Sequence, residues 1–302
     1  MKQRKQCLAV VVFIFLFFLQ GTVWGKGRFY IIGTGPSGPQ MATLQALETI
    51  KQMDAIIAPA GHAERFADYI VEKPVLFDPW QGFWEYKGRP QDALSEKERK
   101  AFNKERFRLR DERINKIKEL LAEGKDVGLL DSGNPSLFGP SHWYIEHFAP
   151  EDLVIIPGMG CDAAAMAVLG KSIIPAYDTR FVMQTAPFFL TDSFFQTEKN
   201  KDAMQVLKDL ADYPVSMVLY MALKKPIELF AQLKKIYPAD MPCAVVYWAG
   251  YPDKQRVVRG TVADMGQKLA QDKEKFMGLL FIGRFLEGKP YEAAMKRWRS
   301  ND

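Results

Sequence analysis

The stretch FYIIGTGPSG, residues 29–38, has the pattern of a buried strand that runs into a glycine-rich turn. Gly33, Gly35 and Gly38 have the Gly-x-Gly-x-x-Gly spacing of a dinucleotide-binding turn. The segment that follows, MATLQALETIKQM, has the apolar periodicity of a helix. The sequence therefore predicts a strand–turn–helix unit at the start of an α/β fold.

A dinucleotide suits this turn poorly. Such a unit also needs an acidic residue at the end of its second strand, where it binds ribose. The second strand, AIIAPAG, ends without an acid, and Asp54 stands at its start instead. Pro36 and Pro39 also lack the backbone N–H groups that a pyrophosphate accepts hydrogen bonds from. The spacing alone is weak evidence, and a different ligand is favoured.

The length and composition favour two globular domains. The chain has 302 residues, of which 48% are hydrophobic, and its formal net charge is +5. Lys2, Arg4 and Lys5 lie in the first 25 residues, which carry no acid. The remaining 38 basic and 36 acidic residues leave about +2, which argues against a nucleic-acid-binding protein.

Residues 1–25 have the pattern of a signal peptide or a membrane anchor. The basic segment MKQRK precedes CLAVVVFIFLFFL, an apolar run of 13 residues, which is shorter than the roughly 20 that a bilayer requires. Val23 and Gly25 suit the −3 and −1 positions of a cleavage site. We expect a protein that is exported, periplasmic or anchored outside the cytoplasm, and cytoplasmic only if this segment is not a functional signal.

Strands and helices alternate up to residue 150, which predicts a parallel sheet in an N-terminal α/β domain, residues 26–150. A long basic helix is predicted at 95–123, with Ser95 and Glu98 as its capping box. Residues 87–118 contain twelve Lys or Arg and six Asp or Glu. The basic residues of this helix either form a solvated surface or attract the carboxylates of an anionic ligand.

The second half predicts a C-terminal α/β domain, residues 151–302, with a mixed sheet. Its strands are PVSMVLYM, PCAVVYWAG, RVVRGTV and MGLLFIGRFL, and its helices are PIELFAQLKKI and DMGQKLAQDKEK. Cys161 and Cys243 allow at most one disulfide and form no metal motif. The histidines are too scattered to suggest zinc, and His62 and His142 are expected at the surface. No metal is predicted.

Six collinear segments resemble the tetrapyrrole (corrin/porphyrin) methylase family over residues 28–290. They are IIGTGPSGPQMATLQALETIKQMDAII, EGKDVGLLDSGNPSLFG, VIIPGMGCDAAA, VSMVLYMA, PCAVVYWAGYPDKQRVVRGTV and GLLFIGRFL. The fifth is most similar to the cobalt-precorrin-4 methyltransferase branch. The resemblance implies a two-domain α/β fold, a homodimer, and S-adenosylmethionine (SAM) as the methyl donor, bound in a cleft between the domains.

The resemblance also implies the cofactor-binding residues. Carried over position by position, they are Pro36, Ser132, Gly133, Asn134, Leu137, Gly160, Cys161, Met221, Ala222, Ala249, Gly260 and Thr261. Two loops depart from the family pattern, since Gly38 and Asn134 stand where the family has aspartate. The pattern suits SAM physically, because SAM has no phosphate and needs close backbone approach and apolar walls. No catalytic base is identified.

Some aromatic and basic residues have two interpretations. Trp80 and Trp84 either stack on a flat macrocycle or belong to a core or lid. Arg89, Arg106 and Arg110 either pair with ring carboxylates or form structural ion pairs. Cys161 is expected to be a small buried apolar residue rather than a reactive thiol.

Two functions remain open from the sequence. The first is a SAM-dependent methyltransferase that acts on a tetrapyrrole-like small molecule. The second is an exported binding protein that keeps this fold and has lost catalysis, because SAM is made in the cytoplasm and the acid is missing from both loops. Neither involves a nucleic acid, and a membrane enters only through an uncleaved N-terminal segment.

Overall fold

The structure is a computed structural model, which describes residues 25–174, 181–191 and 203–287. The predicted signal segment lies outside these residues except for Gly25. Within the described ranges, no helix combines the length and apolar character needed to span a bilayer.

The strands and helices follow the order expected for an α/β protein in the first half. The strands are β1 (Phe29–Gly33), β2 (Ala55–Ile57), β3 (Glu85–Tyr86), β4 (Arg89–Pro90), β5 (Val127–Asp131) and β6 (Leu153–Ile156). The α-helices are α1 (Leu44–Gln52), α2 (Ala60–Arg65), α3 (Ala67–Ile70), α4 (Glu96–Ala122), α5 (His142–Ile145) and α6 (Cys161–Leu169). Short 3-10 helices lie at Pro39–Met41, Gln91–Ala93 and Pro150–Asp152.

The second half is mixed. Its strands are β7 (Phe181–Thr185), β8 (Val215–Leu219), β9 (Pro242–Tyr247), β10 (Arg256–Thr261) and β11 (Gly278–Ile282). Its α-helices are α7 (Phe188–Thr191), α8 (Ala203–Ala211), α9 (Pro226–Leu233) and α10 (Met265–Gln271), and a 3-10 helix follows at Arg284–Leu286.

The first sheet has four strands in the order β2-β5-β1-β6. The β1–β6 and β2–β5 pairs are parallel, as predicted. Strands β1, β2 and β5 are almost entirely buried, whereas β6 is only partly buried. Apolar residues of α4, including Ile114 and Ile117, pack into this core. The predicted capping box is confirmed, since the Ser95 side chain accepts from Glu98 N and the Glu98 carboxylate accepts from Ser95 N.

The second sheet has five strands in the order β10-β9-β11-β8-β7. β7 pairs in parallel with β8, whereas the other pairs are antiparallel, so the predicted mixed sheet is confirmed. Alternate residues point to opposite faces, each with its own core. Helices α9 and α10 cover the face of Val245, and α6 covers the face of Ala244.

Contacts divide the chain into two compact units. The first comprises the described part of Met1–Ile32 with Leu44–Asp131 and Phe138–Ile156. The second comprises Gly33–Thr43, Ser132–Leu137 and the described part of Pro157–Asp302. The domain boundary near residue 150 stays a prediction, but two loops that precede it in the chain group with the second unit.

Contacts in the first unit decide between the two interpretations for most of the aromatic and basic residues that the sequence left open. Trp80 packs edge-on against Phe83 and Tyr144. Arg89 pairs with Glu98, and Arg110 pairs with Asp111 at 2.7 Å. These contacts are structural, whereas Trp84 stays half-exposed.

His62 is buried rather than at the surface, which corrects the expectation for this residue, whereas His142 is exposed. The His62 side chain lies 5% exposed in α2, with its ring edge-on to Phe66. Burial lowers the pKa of His62 to about 4, and the Arg65 charge adds to the effect. The imidazole is therefore neutral in the folded protein at pH 7.

We expect this burial to make the first unit less stable in mild acid. The unfolded His62 takes up a proton near pH 6.5 and the folded one only near pH 4, so stability is lost as the pH falls through this window. The loss approaches about 3 kcal/mol by pH 4. Denaturant unfolding between pH 7 and pH 4 measures this loss. The free energy of unfolding should depend less steeply on pH in His62→Gln than in the wild type, whereas His142→Gln should keep the wild-type dependence.

Candidate functional site

Three loops meet at backbone contacts between glycines. A Cβ atom on Gly33 would lie 2.5 Å from Gly158 N and 2.7 Å from Pro135 Cδ. A Cβ atom on Gly158 would lie 2.1 Å from Gly133 O. No side chain fits at such distances, so these positions require glycine. The loops that follow β1, β5 and β6 therefore contact one another directly.

Hydrogen bonds fix the first two loops together. Gly133 N donates to Gly35 O at 2.8 Å, and Gly35 N donates to Gly133 O at 3.4 Å. Pro36, next to this bridge, is buried. These two hydrogen bonds fix the conformation of the glycine-rich turn that follows β1.

Asn134 shapes the second loop from within. Its Oδ1 accepts a hydrogen bond from Ser136 N at 3.0 Å, and its backbone carbonyl accepts from Leu137 N. An aspartate would make the same turn, so the amide preserves the loop while removing a charge. Ser132 is exposed, and Leu137 is 43% exposed.

The third loop leads into helix α6. Gly160 is the residue before the helix, and a Cβ atom on it would lie 2.1 Å from Asp162 Oδ1. The Asp162 carboxylate therefore folds back over Gly160. Its charge also raises the pKa of the Tyr220 hydroxyl, after the larger effect of burial. The loop thus carries a negative charge next to its backbone.

Two further turns, at Met221 and at residues 248–250, have unusual backbone conformations. Met221 and Trp248 have positive φ angles of 57° and 52°, which are rare for bulky residues. Gly250 follows Ala249, and a Cβ atom on it would lie 2.9 Å from Ser37 Oγ. Ala249 packs in the same apolar cluster as Met221, whereas Ala222 packs on the other face of the sheet.

We refer to residues 33–43, 132–137, 157–162, 221 and 248–250 as the loop cluster. All of them belong to the second compact unit. Met41 and Cys161 pack with Met221 against the same buried residues, which links the loops from the two halves of the chain. The cluster brings together most of the residues expected to bind the cofactor.

Gly260 and Thr261 lie elsewhere. They end β10, where Gly260 pairs with Cys243 and Thr261 pairs with Pro242. Ala249 follows the opposite end of β9, beyond Tyr247. Because the two strands are antiparallel, four residue pairs lie between the Thr261–Pro242 pair and the Arg256–Tyr247 pair. The structure does not place Gly260 and Thr261 with the loop cluster.

Sequence reasoning missed Ser37, Met41, Asp162 and Gly250. Ser37 and Met41 contact the position of Gly250, which has a φ of 86°. The glycine after Ala249 was a visible signal for a turn. Asp162 carried no signal, because an acid in the first turn of a helix is ordinary.

Both described cysteines are free. Burial raises the pKa of the Cys161 thiol to about 11, with a smaller contribution from the Asp162 charge. Burial raises the pKa of Cys243 to about 12. Both thiols are therefore protonated and unreactive at neutral pH. Within the described residues, no three His, Cys, Asp or Glu side chains are arranged to hold a metal ion.

The chain is thus a two-unit α/β protein in which three loops of the cluster follow strands of a parallel sheet. Residues 28–266 match the family Tetrapyrrole (Corrin/Porphyrin) Methylases, and the chain belongs to this family. It is 27% identical over 267 residues to the cobalt-precorrin-4 C(11)-methyltransferase of Methanocaldococcus jannaschii, covering 87% of this chain and 90% of that protein.

Solved structures show the same fold. A cobalt-precorrin-4 methyltransferase matches with a TM-score of 0.64 at 20% identity, covering 86% of this chain and 96% of the other. The uroporphyrin-III C-methyltransferase of Thermus thermophilus, in complex with S-adenosylhomocysteine, matches with a TM-score of 0.57 at 16% identity, covering 86% and 99%. The two-domain fold expected from the sequence is confirmed.

We expect Gly158→Ala to destabilise the protein by roughly 1 to 3 kcal/mol, because the new methyl group overlaps the Gly133 carbonyl. Denaturant unfolding of the purified variant measures the change. Gly61→Ala is the matched control, since its nearest neighbour would be Arg65 Nη1 at 3.9 Å. Equal stability of both variants would contradict the close approach of the two loops.

Proposed function

We propose that the protein is a SAM-dependent C-methyltransferase that acts on a tetrapyrrole-like substrate, a corrin or porphyrin precursor. The observation that carries this proposal is that the family match spans residues 28–266 and contains every loop of the cluster. The relatives named above are C-methyltransferases of such rings. The loop cluster is the candidate site for the methyl donor.

The loop cluster has the properties that SAM requires. A Cβ atom on Gly133 would have no neighbour closer than Met159 O at 4.0 Å, so open space lies beside this turn. A ligand can therefore approach the backbone there. Apolar side chains suit the adenine and methionine groups. The residues proposed to contact SAM are Pro36, Ser132, Gly133, Asn134, Leu137, Gly160, Cys161, Met221 and Ala249.

SAM supplies an activated methyl group on a positively charged sulfonium. The residues of this chain contribute orientation, since a carbon nucleophile must approach the methyl group in line with the sulfur. The strained turns at Met221 and Trp248 are held by hydrogen bonds, including Trp248 N to Met277 O at 2.9 Å. Such preorganisation costs backbone energy that packing offsets.

We propose that Asp162 provides the negative charge that the second loop lacks. Asn134 is neutral, whereas the Asp162 carboxylate lies against Gly160 in the third loop. A carboxylate near a sulfonium favours SAM over its neutral product S-adenosylhomocysteine. In this proposal the acid lies in the third loop rather than in the second.

Calorimetric titration of the purified protein tests the donor site. We expect S-adenosylhomocysteine to bind with a micromolar Kd, which corresponds to a binding free energy of about −8 kcal/mol. Leu137→Ala should weaken binding roughly tenfold, because it removes an apolar contact. Leu44→Ala, a leucine that is 82% exposed, is the matched control and should bind as the wild type does.

If neither SAM nor S-adenosylhomocysteine binds at millimolar concentration, the proposed enzymatic function is contradicted. Transfer of a labelled methyl group from SAM to uroporphyrinogen III or to a precorrin then tests the reaction. Binding of the donor without transfer to any such ring would remove the substrate class from the proposal while keeping the donor site.

The role of Asp162 has its own test. Asp162→Asn should lower the affinity for SAM roughly fivefold or more relative to S-adenosylhomocysteine, because only SAM carries the positive charge. Asn134→Asp should shift the same ratio in the opposite direction. Equal changes for the two ligands in both variants would show that the carboxylate acts on the fold rather than on the sulfonium.

The proposal includes a homodimer and an extracytoplasmic location. The N-terminal pattern of a basic segment, a 13-residue apolar run and small residues supports export by a cleaved signal or an anchor. The second candidate is an exported binding protein of this fold without catalysis, which the loss of acid at Gly38 and Asn134 favours. Cell fractionation tests the location, and size-exclusion chromatography with light scattering tests the dimer.

A further inference from the structure

A cluster of aromatic rings and arginines lies on the surface of the first unit. We define the aromatic–arginine cluster as Trp84, Arg106, Phe107, Arg110 and Trp143. Trp84 is 49% exposed and Phe107 is 41% exposed. Large aromatic side chains grouped at a surface indicate a contact site rather than core.

Trp143 is the centre of this cluster. Its ring centroid lies 6.2 Å from Trp84 at an interplanar angle of 90°, and 5.8 Å from Phe107 at 31°. Phe83 packs against Trp143 from the buried side at 5.1 Å. The exposed rings are therefore supported by the core and are held in fixed orientations.

Arg106 sits among these rings. Its guanidinium lies 5.0 Å from the Trp143 ring and 5.6 Å from the Phe107 ring. Nη1 donates to Gln91 Oε1 at 3.0 Å, while Nε is buried and has no hydrogen-bond partner among the described residues. Burial lowers the pKa of Arg106, although the group stays charged. Arg106 is half-buried and has no ion pair with a carboxylate among the described residues, so its guanidinium charge favours an anion.

Neighbouring arginines differ from Arg106 in this respect. Arg108 pairs with both Glu105 and Glu112 on the same helix. Arg110 stacks over Phe107 at 5.0 Å while it pairs with Asp111. Carboxylates thus neutralise Arg108 and Arg110, whereas Arg106 is stacked on rings.

We propose that the aromatic–arginine cluster binds the carboxylate-bearing edge of a planar tetrapyrrole. A ring carboxylate accepts hydrogen bonds from Arg106, and the macrocycle lies against Trp84 and Phe107. Charge complementarity and flat apolar surface point to the same ligand, because such rings are apolar on their faces and acidic at their edges. The inference rests on the proposed function for its substrate class.

The test is titration of the full-length protein with uroporphyrin III, a stable planar ring with carboxylate side chains, followed by quenching of tryptophan fluorescence. Arg106→Gln should raise the Kd roughly tenfold or more, since it removes a charged, stacked donor. Trp84→Ala, which alters an exposed residue and keeps the fold, should raise it several-fold. Arg108→Gln is the matched control and should leave the Kd unchanged.

Parallel titration with S-adenosylhomocysteine separates this inference from the proposed function. If the donor binds and uroporphyrin III does not, the cluster has another role and the proposed methyltransferase stands. If uroporphyrin III binds through Arg106 and the donor does not bind, the ring site stands and the proposed function fails. Equal weakening by Arg106→Gln and Arg108→Gln would overturn the site.

Two further controls address other occupants. A cationic porphyrin of the same ring size should bind at least tenfold more weakly, because Arg106 repels it. Binding of anionic phospholipid vesicles that requires Trp84 and Arg106, without binding of uroporphyrin III, would assign the cluster to a membrane surface and overturn the proposal.

Discussion

The contact among Gly33, Gly133 and Gly158 is the constraint on which the rest of the candidate site depends. It joins the ends of β1, β5 and β6, which are neighbours in the first sheet. Parallel strands present their carboxyl ends at one edge, where open α/β sheets bind ligands. Backbone atoms replace side chains at this edge, so the loops approach one another closely, and open space lies beside Gly133.

This constraint also explains the glycine-rich turn. Gly33 is required by contact, and Gly35 by its hydrogen bonds with Gly133 and a φ of 75°. Gly38 differs, because its backbone is extended and a Cβ atom there would meet only the flexible Gln40 side chain. The third glycine of the apparent dinucleotide spacing therefore has no structural need for glycine. The turn serves loop packing rather than a pyrophosphate.

The sequence predicted the strands and the long helix well, because their apolar periodicity and capping residues are local. It missed β7, an edge strand whose residues are mostly half-buried or exposed, so its hydrophobic pattern is weak. It also placed His62 at the surface, since burial by Phe66 and the surrounding core depends on packing. The site residues were harder, because collinear motifs do not say which end of a strand they follow. Antiparallel pairing of β9 and β10 separates Thr261 from Ala249.

Charge within the loop cluster follows from geometry that no single motif reveals. The amide of Asn134 keeps the hydrogen bond to Ser136 N that shapes its loop, so the loss of a carboxylate there leaves the fold intact. Asp162 is distant from Asn134 in sequence, but its carboxylate lies over Gly160 in the third loop. Gly158 of the same loop contacts Gly133 of the second loop. An electrostatic role depends on distance and burial rather than on sequence position. A site can therefore depart from its family's motif and still offer a negative charge to a cationic ligand, provided that the backbone contacts holding the loops together are kept.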